Sequence, residues 1–246
     1  MPVSDPEFPI AASGPRVRSI SAWAGAILEW LYPDRCVLCL APSGSGICAA
    51  CTADLVQSGP SCPTCAEPLP VAGSCAACQR APPPLDAVWV PFAYAWPLIQ
   101  LLLGYKSGGR PQLGRPLARL LSDHLAADAT LDVDCVIPVP LHGQRLAQRG
   151  FNQAEQLARV LCRTRGLRLE KRAVRRIVAT PSQQGLSRRA RKANLRGAFA
   201  VERDLSGLRV LLVDDVMTTG TTLTVLAREV RKAGAAWVGA VALARA

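Results

Sequence analysis

The chain has 246 residues, half of them hydrophobic and 19% charged, with a formal net charge of +11. That length buries a full core and allows one or two domains, and the composition excludes a disordered, collagenous or wholly coiled-coil chain. Residues 142–196 carry 15 Lys/Arg against two Asp/Glu, more than the whole excess, so the positive field is concentrated and suits a polyanion: a nucleic acid or a phosphate-rich small molecule. A solvated basic surface is the plainer alternative.

Residues 1–15, rich in Pro, Ser and Ala, read as a leader. Val17–Tyr32 has the spacing of an amphipathic helix, with Ile20, Trp23, Ala24, Ile27, Leu28 and Leu31 on one face, so residues 1–32 form a leader and helix. Arg16 and Arg18 precede a short apolar stretch, as in a signal peptide, but Glu29 interrupts it. No apolar run reaches the roughly 20 residues needed to span a membrane. The expectation is a cytoplasmic chain with reduced thiols.

Eight of the ten cysteines form four C-x-x-C pairs: Cys36/Cys39, Cys48/Cys51, Cys62/Cys65 and Cys75/Cys78. The first and third pairs are offset by 26 residues and the second and fourth by 27, so the unit is duplicated. Each unit offers four thiolates, the complement of a closed, structural zinc site. Glycines and prolines between the pairs suit short knuckles. The expectation is a double zinc ribbon over residues 33–81 holding one or two Zn2+, with sequential and interleaved ligand pairing both open. Disulfides are disfavoured by the reducing compartment, and redox exchange by four pairs in tandem. Cys135 and Cys162 lie in apolar patterns and read as core.

Ala81-Pro82-Pro83-Pro84 reads as a linker into a second domain over residues 85–246. Strands at Ala87–Ala95, Cys135–Val139, Val210–Val213 and Ala236–Ala244 alternate with helices at Pro97–Leu103, Leu113–Ala127, Asn152–Thr164 and Thr222–Lys232. That is the pattern of an α/β domain, a parallel sheet flanked by helices. Val210–Val213 is a buried strand, and Asp214 and Asp215 stand at its carboxyl end, where open α/β sheets bind ligands. Thr218, Thr219, Gly220, Thr221 and Thr222 follow as a small-residue turn opening a helix. Such a turn presents backbone N–H groups and the positive helix end to a phosphate, while the two carboxylates suit ribose hydroxyls. A helix cap accounts for one threonine, not four.

This segment resembles the 5-phosphoribosyl 1-pyrophosphate (PRPP) motif of type I phosphoribosyltransferases. From Pro33 onward the chain resembles the ComF family, a zinc ribbon followed by a phosphoribosyltransferase-like domain. The likeness rests on the four C-x-x-C pairs, Pro138–His142 (PVPLH), Arg149–Gln153 (RGFNQ), Thr180–Asn194 (TPSQQGLSRRARKAN) and the phosphate motif. It implies PRPP bound with Mg2+ and transfer of phosphoribosyl to a nitrogen nucleophile with release of pyrophosphate. Asp214 and Asp215 then take the catalytic roles, and with Thr218–Thr222 they hold the ribose and 5′-phosphate. Pro138–Gly150 becomes the pyrophosphate loop and residues 180–196 a closing loop, with Lys106, Arg145, Arg149, Arg191 and Lys192 on the pyrophosphate. Thr218 stands where many purine salvage enzymes of the superfamily carry an Asp, which speaks against a purine acceptor. The resemblance also implies a second reading, a non-catalytic PRPP-responsive protein associated with single-stranded DNA during DNA uptake. It permits an oligomer.

Overall fold

A computed structural model describes residues 35–106, 109–128, 131–178, 195 and 197–246. The helix expected at Val17–Tyr32 lies outside the described residues, as does the closing loop expected at 180–196 apart from Leu195.

The cysteine-rich region contains two short helices, α1 (Ala49–Ala53) and α2 (Ala76–Arg80). Each is capped by a cysteine: Cys48 Sγ accepts from the Cys51 N–H at 3.5 Å, and Cys75 Sγ from the Cys78 N–H at 3.4 Å. Next come β1 (Ala87–Trp89), β2 (Phe92–Ala93) and α3 (Leu98–Lys106), then α4 (Gly114–Asp128) and β3 (Cys135–Pro138). Two helices follow, α5 (Gly143–Arg149) and α6 (Gln153–Arg165), and then the short strands β4 (Val174–Arg176) and β5 (Phe199–Val201). The chain closes with β6 (Arg209–Met217), α7 (Thr221–Lys232) and β7 (Trp237–Arg245).

The main sheet is parallel, in the order β1–β7–β6–β3, with β2 also on β7. Helices cover both faces. The burial of β6 follows strand alternation: Val210 and Leu212 join the core beneath α7, while Leu211 and Val213 join the core beneath α3, α4 and α6. β4 and β5 form a separate antiparallel pair.

Several elements differ from their expected bounds. The strand expected over Ala87–Ala95 is two strands, because Pro91 lacks the N–H a ladder needs. The helix expected to end at Leu103 runs on to Lys106. The expected pyrophosphate loop is half helix, since α5 occupies Gly143–Arg149, with His142 Nδ1 accepting from the Gln144 N–H at 3.3 Å. The strand expected to stop at Val213 continues through both aspartates to Met217. On one side it pairs with β7 as far as Met217; on the other, β3 ends at Pro138 opposite Val213. The aspartates therefore project where the sheet has lost a neighbour, which opens the crevice.

The two ribbons dock at different places. Gly46 of the first lies against Pro116 of α4, where an added Cβ would meet Pro116 Cγ at 2.6 Å, and Arg119 donates to the Gly44 carbonyl at 2.7 Å. The second ribbon bonds to the sheet: the Val88 N–H donates to the Pro63 carbonyl at 2.7 Å, and Arg245 Nη1 to the Cys65 carbonyl at 3.0 Å.

Candidate functional site

The cysteines fall into two sequential groups. The sulfurs of Cys36, Cys39, Cys48 and Cys51 all lie within 4.8 Å of one another, and so do those of Cys62, Cys65, Cys75 and Cys78. Cys39 Sγ is 3.6 Å from Cys48 Sγ, and Cys65 Sγ is 3.7 Å from Cys75 Sγ. Four sulfurs about 2.3 Å from a tetrahedral zinc stand about 3.8 Å apart, so both groups fit that ion. The thiols of each group are shifted unequally: a hydrogen bond with Cys39 pushes Cys51 up, and burial pushes Cys65 and Cys78 up, while two others move down. Burial pushes Cys36 up, but backbone hydrogen bonds from Cys39, Cys48 and Leu38 outweigh it and bring the thiol down to about 6. Cys62 is likewise brought to about 6, by Thr64 and the Cys75 backbone acting against burial. Burial pushes Cys135 and Cys162 up to about 11, which keeps them as inert core thiols. With four cysteines to each group, no position stays open for a reacting water, and the metal is structural.

A cleft of about 380 Å³ opens at the carboxyl end of the sheet. α3 contributes Leu103 and Lys106; α5 contributes Arg145 and Arg149; Asn152, Gln153 and Ala154 bring the start of α6. Arg176 enters from β4, and Asp214, Asp215, Val216, Thr218 and Thr222 complete the floor. Each part is placed by local structure. Lys106 sits on the last turn of α3. The α6 start is pinned to the end of β3, because Asn152 accepts from the Ala154 N–H through Oδ1 and donates to the Val139 carbonyl through Nδ2, both at 3.0 Å.

The two carboxylates are held partly by the backbone that follows them. The Asp215 N–H donates to Asp214 Oδ1 at 2.9 Å, and the Val216 N–H to Asp215 Oδ1 at 2.7 Å. Lys106 Nζ stands 3.0 Å from Asp215 Oδ1. Burial, and then the like charge of Asp215, push Asp214 up to about 7, with Lys106 opposing. Burial and the nearby Arg145 lower the pKa of Arg176, and Asp214 opposes.

Not all of the threonine turn faces the cleft. Thr218 and Thr222 do, whereas Thr219, Gly220 and Thr221 line the hollow inside the turn, together with Asp214. Their other side walls a second pocket, of about 260 Å³, against Cys65, Cys78 and the Ala81–Leu85 linker. Thr219 and Thr221 share a hydroxyl hydrogen bond at 2.8 Å. Gly220 caps α7 with φ +69°, a left-handed conformation that favours glycine.

Thus Lys106, Arg145, Arg149, Asp214, Asp215, Thr218 and Thr222 meet in one cleft, while Arg191 and Lys192 lie outside the described residues. Arg176, Asn152 and Gln153 join the cleft without a functional signal of their own in the sequence. Arg176 was one of many arginines in the basic stretch, and the other two were visible only as part of RGFNQ.

A parallel sheet with an acid pair and a threonine turn at its carboxyl end, joined to paired four-cysteine knuckles, defines a zinc-ribbon protein with a phosphoribosyltransferase fold. Residues 27–79 match the double zinc ribbon domain, and residues 111–246 the phosphoribosyl transferase domain. The chain belongs to the ComF family. It is 36% identical over 225 residues to the DNA utilization protein YhgH of Salmonella typhi, covering 87% of this chain and 97% of that protein. It is 35% identical over 223 residues to the same-named protein of Escherichia coli K12, with the same coverage. With Competence protein F of Haemophilus influenzae it shares 34% identity over 225 residues, covering 86% of this chain and 97% of the relative. A purine phosphoribosyltransferase from Pyrococcus horikoshii superposes on 52% of this chain and 70% of its own, at 23% identity and a TM-score of 0.34, too loosely to carry any argument.

Proposed function

We propose that the chain binds PRPP across the cleft and transfers its phosphoribosyl group to a nitrogen nucleophile. One observation carries the reading: Lys106, Arg145, Arg149 and Arg176 converge on the same cleft as Asp214, Asp215 and the threonine turn. A sugar with a phosphate at one end and a diphosphate at the other matches that order of charge. The turn's amides take the 5′-phosphate, the carboxylates take the ribose hydroxyls, and the cations take the diphosphate. In the reaction the C1–O bond to diphosphate breaks and the C1–N bond forms. Pyrophosphate leaves with the electron pair, and the nucleophile gives up a proton. Asp214 and Asp215 stabilise the positive charge that develops on the ribose, while the arginines neutralise the leaving group. Mg2+ enters as part of this proposal, carried on the diphosphate. The cytoplasm is the proposed compartment. Among the described residues no helix is long and apolar enough to cross a membrane.

A second reading is favoured by the names of the relatives, a DNA utilization protein and a competence protein. In it the chain responds to PRPP without turning it over and acts on single-stranded DNA. The basic stretch supplies backbone contacts, although part of it is already neutralised: Arg159 and Lys171 pair with Glu155, Arg168 with Glu170, and Arg175 with Glu202.

Calorimetry with PRPP and Mg2+ tests the site. Binding is expected, with at least a tenfold loss in Asp215→Asn and Gly220→Val; unchanged affinity in both removes the assignment. Pyrophosphate release against a panel of bases and amines, beside salt-dependent binding of single-stranded DNA, separates the two readings. Turnover with any acceptor favours the enzyme, and DNA binding with a steep salt slope and no turnover favours the second reading.

A further inference from the structure

The side chain of Gln153 is almost wholly buried, at 2% exposure, and lines the cleft at the first position of α6. Two of its groups are accounted for. Its carbonyl oxygen lies 3.1 Å from the Tyr105 hydroxyl, which also lies 2.9 Å from Gln156 Oε1. Its side-chain oxygen accepts from Arg149 Nη1 at 3.3 Å. That contact also fixes the orientation of the amide, because a flipped amide would set its NH2 donors against a guanidinium that is itself only a donor. Nε2 is left buried, with no hydrogen-bond partner among the described residues.

A buried amide donor without an acceptor costs about 1–3 kcal/mol, and native proteins rarely leave one unexplained. The missing partner must be an acceptor, since Nε2 carries only hydrogens. It must also tolerate its neighbours. Arg149 is in contact with the same amide, Arg145 lines the same wall one helical turn earlier on α5, and the positive end of the α6 dipole lies behind. The two arginines and the helix end favour an anionic oxygen on this wall, opposite the carboxylates of Asp214 and Asp215 that line the same cleft.

We infer that Gln153 Nε2 donates to an oxygen of the diphosphate, and that the Gln153 amide thereby joins Arg149 to the ligand as one unit. The inference rests on the PRPP reading above and adds to it the residue that sets the diphosphate end. When the ligand is in place, both ends of the Gln153 amide have partners: Oε1 has Arg149 and Nε2 has the diphosphate. Without it the site stores an unmet donor, which favours binding.

The test uses the full chain and three ligands with Mg2+: inorganic pyrophosphate, PRPP and ribose 5-phosphate. Gln153→Glu is nearly isosteric. It keeps an oxygen facing Arg149 and replaces the donor with a second acceptor. Gln153→Met removes the donor while keeping the volume. Both variants are expected to weaken pyrophosphate and PRPP, at least tenfold for Glu and about threefold to tenfold for Met, while ribose 5-phosphate stays within twofold of wild type. Pyrophosphate affinity unchanged in the Glu variant overturns the inference and assigns Nε2 to another ligand. An equal loss for ribose 5-phosphate also overturns it, because the effect is then structural. Wild-type protein that binds ribose 5-phosphate but not pyrophosphate defeats the inference and leaves the phosphate turn standing; wild-type protein that binds none of the three defeats the PRPP reading itself.

Discussion

Lys106 Nζ lies 3.0 Å from Asp215 Oδ1, so the last turn of α3 places a cation against the acid pair of β6. The lysine is the counter-charge that lets two adjacent carboxylates share a largely buried site. It acts on Asp214 as well, drawing its pKa down against burial and the charge of Asp215. Replacing Lys106 with Met removes that pull. The Asp214 carboxyl is then expected to titrate above its present value of about 7, which an NMR titration of the side-chain carboxyl reads directly. A midpoint that stays where it is would mean that the ion pair does not reach Asp214.

The raised Asp214 also sets a pH dependence of stability. Its folded value is about 7, against about 3.9 in an unfolded chain. Between those values the folded protein holds a proton that the unfolded chain has lost, so stability falls as pH rises from about 4 to about 7. Asp214→Asn abolishes this component of the decline. Urea midpoints at pH 5 and pH 8 are expected to differ less in the variant than in the wild type, and an equal difference would contradict the assignment.

Ligand affinity runs the other way. A ribose hydroxyl donates to an ionised carboxylate, so PRPP binding is expected to strengthen as pH rises through about 7. The diphosphate itself titrates nearby, and Asp214→Asn separates the two effects. The part of the pH profile that vanishes in the variant belongs to Asp214. A profile that survives the substitution intact belongs to the ligand.

Metal removal is expected to act unequally at the two ribbons. Arg245 donates to the Cys65 carbonyl at 3.0 Å and pairs with Glu67 at 2.5 Å, while the next residue, Ala246, donates its N–H to the Met217 carbonyl at 2.9 Å. The second metal group is thus one residue from a backbone bond to the strand end that carries the threonine turn. The first group instead packs on α4. Cys78→Ser is expected to lower PRPP affinity severalfold, while Cys39→Ser lowers the unfolding midpoint with less effect on binding. Zinc content by elemental analysis confirms which group each variant empties, and equal losses of affinity would break the link to the turn.

The parts of this arrangement that were legible in the sequence are those where one residue type has few physical alternatives. Four cysteines at duplicated spacing have one common use, and Val210–Val213 followed by two acids and a threonine turn has few others. The boundaries were less legible because neighbours set them. β6 runs to Met217 because β7 pairs that far, and nothing in Asp214–Met217 itself announces a strand. β4 and β5 are not legible because three residues are too few to show an alternation, in Val174–Arg176 and Phe199–Val201 alike. Gln153 was hidden for a related reason. A glutamine at a helix start looks solvated until tertiary packing buries it against Tyr105 and Arg149.

Gly220 offers a test of how tightly the turn is specified. Its φ of +69° disfavours any residue with a Cβ, and a Cβ placed there would lie 2.5 Å from Met217 Cε. The two penalties differ in kind. The backbone strain is fixed by the turn and costs about 1–2 kcal/mol for an alanine. The clash is with the free end of a methionine, which has other rotamers. Gly220→Ala is therefore expected to lose about 1–2 kcal/mol of stability, and adding Met217→Ala removes the clash without restoring that loss. Gly220→Asn, a residue that tolerates the left-handed region, is expected to lose less than Gly220→Ala. Met217 is buried and its truncation is itself destabilising, so the comparison is with Met217→Ala alone: if Gly220→Ala cost nothing in that background, the methionine contact and not the backbone conformation would be what requires glycine at this position. Denaturant titration of these variants decides between them.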